Sequence, residues 1–169
     1  MDFSFSHLIP TDFSDASKVW IYQSSRRFAM SEALEIEELL EDFVNNWKSH
    51  GTPVKGYGNL LFGQFLVLMA DETATGVSGC STDSSVHLVK KIEQIFKVNM
   101  FDRKTLAFVI KDKIEMLPLN QLTYALEHGF INANTLYFNN LAGTKEALLN
   151  KWMIPLQESW LKTKLPASI

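Results

Sequence analysis

One cysteine, Cys80, stands in 169 residues, so no disulfide can close within the chain. With four histidines dispersed at 7, 50, 87 and 128, it also leaves no zinc-ligand spacing. No metal and no cofactor are expected. Proline (five) and glycine (eight) are too few and too scattered for a linker or a low-complexity tract, which points to one domain. The longest apolar run, Leu60 to Ala70, is eleven residues broken by Gly63 and Gln64. That is about half a membrane span and reads as buried strand. Met1-Asp2-Phe3-Ser4 has neither the basic nor the apolar region of a signal peptide, so a cytoplasmic protein with no membrane contact is expected. Neither GxGxxG nor GxxxxGK[ST] occurs, and Gly143-Thr144-Lys145 lacks the first glycine and the spacing of a phosphate loop.

A chain of 19.2 kDa with 46% apolar and 21% charged residues can bury a core by itself. Aromatic residues are abundant: twelve Phe, four Trp and four Tyr. The net charge of −3 is divided unevenly, with five basic and twelve acidic residues in 1–85 against eleven and seven in 86–169. The basic residues form no stripe with interleaved aromatics, so no nucleic-acid partner is expected. The opposed halves pair either within one fold or between subunits.

Residues 1–17 read as an N-terminal lead-in and Lys18 to Ser24 as a strand. Ser31 to Ser49 reads as a helix with Ala33, Ile36, Leu40, Phe43 and Trp47 on one stripe, Ser31 as its N-cap and His50-Gly51 as its stop. Val54 to Ala70 supplies one or two strands, with Gly56, Gly58 and Gly63 marking a turn or bulge. A helix follows from about Thr82 to Lys97, then strand material from Val98 to Leu117 broken near Arg103-Lys104. A short helix from Leu119 to His128, a strand over Thr135–Asn139 and a helix over 144–165 kinked at Pro155 complete the chain. The order of elements predicts a single α+β domain over 1–169, a mixed or antiparallel sheet packed with about four helices.

The densest polar segment is Ser78-Gly79-Cys80-Ser81-Thr82-Asp83-Ser84-Ser85, five hydroxyls, a thiol and a carboxylate at a helix entrance. Unpaired N–H groups and the helix dipole at such an end attract anions and lower the pKa of a nearby thiol. The plainer reading is that Thr82 or Asp83 caps the helix. Ser24-Ser25-Arg26-Arg27, at the end of the first strand, offers two cations for an anionic ligand, or an ion pair with the acidic helix that carries Glu32 through Asp42. Asp71-Glu72 follows the long apolar strand and supplies an acid/base pair, or a metal site if Asp83 joins it. His87 lies seven residues beyond Cys80, too far along a helix for a local Cys–His pair.

Val19 to Arg26, Ser49-His50-Gly51, Ala70-Asp71-Glu72, Ser78 to Ser85, Phe101-Asp102-Arg103 and Ser159-Trp160-Leu161 together resemble a family of short bacterial proteins of uncharacterised activity. The likeness spans nearly the whole chain. Some members carry the label "ABC transporter ATPase", but this chain has neither a phosphate loop nor an LSGGQ-type signature. The resemblance implies a self-contained domain and brings no catalytic residue with it. The sequence reading is therefore a pocket made by the 78–85 and 24–27 segments that binds a small anion. Cys80 is its candidate nucleophile, Asp71, Glu72 or Asp83 the acid/base partner, and Arg26 or Arg27 the clamp. The alternative is a non-catalytic interaction module, a homo-oligomer joined through aromatic surface such as Trp152 and Trp160.

Overall fold

The computed structural model describes residues 1–73 and 79–167, and only the backbone of 79–81. Strand β1 (Lys18–Gln23) is β-branched and aromatic, with side chains alternating between its two faces. Helix α1 (Met30–Asn46) follows, then a small hairpin of β2 (Lys48–Ser49) and β3 (Thr52–Pro53). The central apolar run becomes the end of β4 (Lys55–Leu61) and all of β5 (Phe65–Asp71), joined through Phe62 and Gly63 at positive φ. Helix α2 (Gly79–Phe96) leads through a loop to the hairpin β6 (Thr105–Ile110) and β7 (Lys113–Pro118). Helix α3 (Leu122–Glu127), β8 (Leu136–Phe138), α4 (Lys145–Lys151) and β9 (Met153–Pro155) complete the regular elements, followed by two 3-10 turns.

Both large sheets are antiparallel, in the orders β1-β5-β4 and β7-β6-β8-β9. They pack face to face. Val19, Leu61, Phe65, Val67 and Met69 of the first sheet meet Ala107 and Phe138 of the second around Trp152. The outer face of the first sheet carries Leu66 and Leu68 against Ile36 and Leu40 of α1 and Val89 and Ile92 of α2. The outer face of the second carries Leu106 and Phe108 against Leu122 and Leu126 of α3 and Leu156 and Leu161 of the C-terminal turns. The molecule is thus a helix–sheet–sheet–helix sandwich, an α+β fold with four α-helices among the described residues. Being central in its sheet and covered on both faces, β5 has all seven residues buried, which is why it is continuously apolar from Phe65 to Ala70 before it ends in Asp71.

Several boundaries differ from the sequence expectations. Helix α1 starts one residue before Ser31, and Ala29 is the N-cap, its N–H donating to Glu32 Oε1 at 2.8 Å. His50-Gly51 is the turn between β2 and β3, both residues at positive φ, and does not terminate α1. The break in the 98–117 segment falls at Lys111-Asp112, where two consecutive positive-φ residues make a tight hairpin turn; 98–104 is a loop. Gly56 and Gly58 lie inside β4, where they let α1 approach the sheet.

The kinked C-terminal helix over 144–165 does not form. Pro155 disfavours helical backbone at Ile154 and has no N–H, so the chain leaves α4 at Trp152 and pairs Met153–Pro155 with β8 as an edge strand. Trp152 and Trp160 consequently share no face. Trp152 is wholly buried between the sheets, and Trp160 is 40% exposed on another layer.

Candidate functional site

The residues singled out in the sequence separate in space. Arg26 donates through Nη2 to the carbonyl of Phe96, the last residue of α2, so the 24–27 segment sits at the C-terminal end of that helix. The 78–85 segment lies at its start, some 17 residues or about 26 Å away along the axis. Ser24 is fully buried, with its N–H on Gln64 O and its own carbonyl accepting from Gln64 Nε2. Ser25 exchanges hydrogen bonds with Asn99 at 2.9 and 3.0 Å. Both terminal guanidinium nitrogens of Arg26, Nη1 and Nη2, donate to Glu32 at 2.8 Å, which occupies this cation with the acidic helix. Arg27 is exposed, beside Gly63.

Asp71 is buried and anchors structure: its carboxylate accepts the Ser14 N–H, then the Thr73 N–H and hydroxyl. Those bonds, the Ser14 one foremost, hold its pKa below the usual carboxylate range. Glu72 pairs with Lys18 at 3.1 Å. Asp83 is exposed on α2, Thr82 and Ser84 are half-buried, and Ser85 is buried with its hydroxyl donating to Thr82 O at 2.6 Å. Ser78 and the side chains of Cys80 and Ser81 lie outside the described residues. The helix already includes Gly79, so the backbone of Cys80 is in its first turn rather than before its cap. Among the described residues no three His, Cys, Asp or Glu side chains gather in a way that could hold a metal ion.

A different place collects convergent chemistry. At the end of β1, where it faces residues of the second sheet and the 98–104 loop, lies a cleft of about 370 Å³. Its floor is a chain of amides. Gln23 Nε2 donates to Thr105 O at 3.0 Å, Asn140 Nδ2 donates to Gln23 Oε1 at 2.9 Å, and Trp152 Nε1 donates to Asn140 Oδ1 at 3.0 Å. This network ties β1 to β6 and locks the buried Gln23 in one orientation. The walls are aromatic. Tyr22 meets Phe101 edge to face, with centroids 5.5 Å apart, and Trp160 Nε1 donates to the Tyr137 hydroxyl at 3.1 Å. Burial pushes the pKa values of both tyrosines up, so they remain neutral hydroxyls at pH 7. Phe101, Leu141 and Trp160, three of the exposed large apolar side chains, gather at the mouth.

The loop 98–104 that forms one lip is held at several points. Met100 N–H donates to Glu93, Phe101 N–H to Asn99 Oδ1, and Lys104 N–H to Asp102 Oδ1. Asp102 Oδ2 also accepts the Thr105 hydroxyl at 2.6 Å, which with the Lys104 bond holds its pKa down and turns the carboxylate into its own loop. Arg103, close enough to favour the Tyr22 phenolate electrostatically, lines the cleft and makes no ion pair among the described residues. The arrangement offers a fixed apolar slot, a few hydrogen-bonding groups and one available guanidinium. No family model, no curated protein and no solved structure matches this chain.

Proposed function

We propose that the protein is a ligand-binding domain whose cleft between the sheets takes an amphipathic molecule with a flat apolar body and a carboxylate. The observation that carries this reading is the convergence on one preorganised cavity of Tyr22, Phe101, Tyr137 and Trp160 with Arg103, which has no ion-pair partner among the described residues. The volume is within the range of small-ligand sites. Stacking on the rings supplies affinity, and a guanidinium forks onto a carboxylate more strongly than a neutral donor does. The anion-binding function expected from the sequence is kept, with Arg103 in place of Arg26, whose guanidinium is engaged by Glu32.

Titration with naphthalene-2-carboxylate and with its neutral carboxamide, followed by amide NMR shifts, tests the reading. The carboxylate is expected to perturb Tyr22, Phe101, Asn140 and Trp160 and to bind about tenfold tighter than the amide. Arg103→Gln should abolish that preference, and Trp160→Ala should weaken both ligands. Shifts that fall elsewhere, or none at millimolar ligand, would overturn it.

A further inference from the structure

We infer that the natural occupant of the cleft is an extended peptide bearing a carboxylate, which adds a strand to the free half of the β1 edge. This rests on the cleft being a ligand site and specifies the class of ligand. In β1 the even-numbered residues turn their main-chain groups toward β5, a parity that continues when Ser24 N–H reaches Gln64 O at 2.9 Å. The odd-numbered residues point to the open edge. Over its first half that edge is already paired by the chain itself: Lys145 N–H donates to Ser17 O at 2.9 Å and Val19 N–H to Gly143 O at 3.0 Å. The covering segment then turns, with Ala142 N–H donating to Asn139 O, and among the described residues it reaches β1 again only through the Asn140 side chain on Gln23 Oε1. Beyond it no described residue meets the Ile21 N–H or carbonyl or the Gln23 N–H, and both residues line the cleft.

Exposed sheet edges are ordinarily blunted by lysine, proline or a bulge. Ile21-Tyr22-Gln23 has none of these and is flanked by Phe101, Leu141 and Trp160. A small aromatic acid would fill the rings and leave the edge groups unmet. An extended chain satisfies both at once, because alternate residues present main-chain groups to the edge and side chains to the rings. Arg103 then selects an acidic side chain or a terminal carboxylate.

The experiment is selection of a random octapeptide library, displayed with free C-termini, on the full chain, keeping clones that naphthalene-2-carboxylate displaces. With a selected peptide bound, hydrogen exchange at the Ile21 amide should slow by about tenfold or more, the equivalent of one main-chain hydrogen bond. Naphthalene-2-carboxylate should occupy the cleft without slowing it. Methylation of the peptide nitrogens on one parity should cost about tenfold in affinity, and on the other parity much less. Naphthalene-2-carboxylate binding in the cleft with no displaceable clone, or with clones that leave Ile21 exchange unchanged, overturns the peptide inference and spares the cleft. Failure of both probes removes the cleft reading as well.

Discussion

The carboxylate of Glu32 accepts both nitrogens of the Arg26 fork and the N–H of Ala29, and these bonds, Arg26 foremost, lower its pKa to about 2. A carboxyl whose folded pKa is depressed adds stability that is fully present above its ordinary value of 4.5 and is lost as the pH falls through about 2. Glu32→Gln should therefore lower stability at pH 7 and flatten the pH dependence between about 5 and 2, as read by urea unfolding across that range. Buried aromatic residues follow a different rule. Trp152 packs on Phe5, Phe65 and Phe138 and donates to Asn140. Trp152→Ala should cost about 3–5 kcal/mol by chemical denaturation, and by releasing Asn140 it should also disorder the cleft floor. Sequence reading made Trp152 a surface candidate because its helical spacing with Trp160 presumed one helix. The cleft residues were equally hard to find, since Gln23, Arg103, Asn140 and Trp160 are joined only by the packing of two sheets. Their one local signal is large aromatic side chains, Phe101 and Trp160, which the sequence pattern assigns to a strand and a helix but which lie on a loop and a 3-10 turn.

At the scale of elements, periodicity located the strands and helices well where an element had a single apolar face, as in α1, or two covered faces, as in β5. It failed where one residue changed the backbone: Pro155, and the turn at Lys111-Asp112, whose positive φ values no glycine announced. The glycines of β4 are legible only with α1 in place. A Cβ on Gly56 would stand 2.6 Å from Trp47 Cε3, and one on Gly58 would stand 3.1 Å from Leu68 Cδ2 and 3.3 Å from Leu40 Cδ2. Gly56→Ala should destabilise by about 1–3 kcal/mol through overpacking. The offending atoms belong to the six-membered ring of the indole, which phenylalanine does not carry at that place. The double variant Gly56→Ala/Trp47→Phe should be less destabilised than the sum of the two single changes, by about 0.5–3 kcal/mol in a double-mutant cycle. Strict additivity would mean that α1 shifts as a body instead.

For the whole molecule, the N-terminal segment is a strap across the sandwich rather than a lead-in. Phe5 and Ile9 enter the core between the sheets, with Phe5 edge-on to Trp152 at 5.1 Å. The backbone of the same segment binds side chains from several elements: Leu8 O accepts the Tyr57 hydroxyl, Phe13 O accepts Lys145 Nζ at 2.8 Å, and Ser14 N–H meets Asp71. The strap thus joins β4, β5 and α4, and Lys145 reaches it while itself buried. Deleting residues 1–16 would remove two buried apolar side chains, about 3–6 kcal/mol of transfer free energy. It would also take the Phe13 carbonyl from Lys145 Nζ and the Ser14 N–H from Asp71. Against a typical domain stability of about 5–15 kcal/mol, that loss should leave the truncated chain marginal. It should unfold at much lower urea with a smaller m-value if the sheets separate before α1 and α2 leave β5. A single cooperative transition with the m-value scaled only to the shorter length would show instead that the sandwich and its helical layer stand or fall together. In the first case the cleft, built where β1 ends and meets β6, should lose naphthalene-2-carboxylate binding before the outer helices lose their circular dichroism signal; in the second the two signals should fall together.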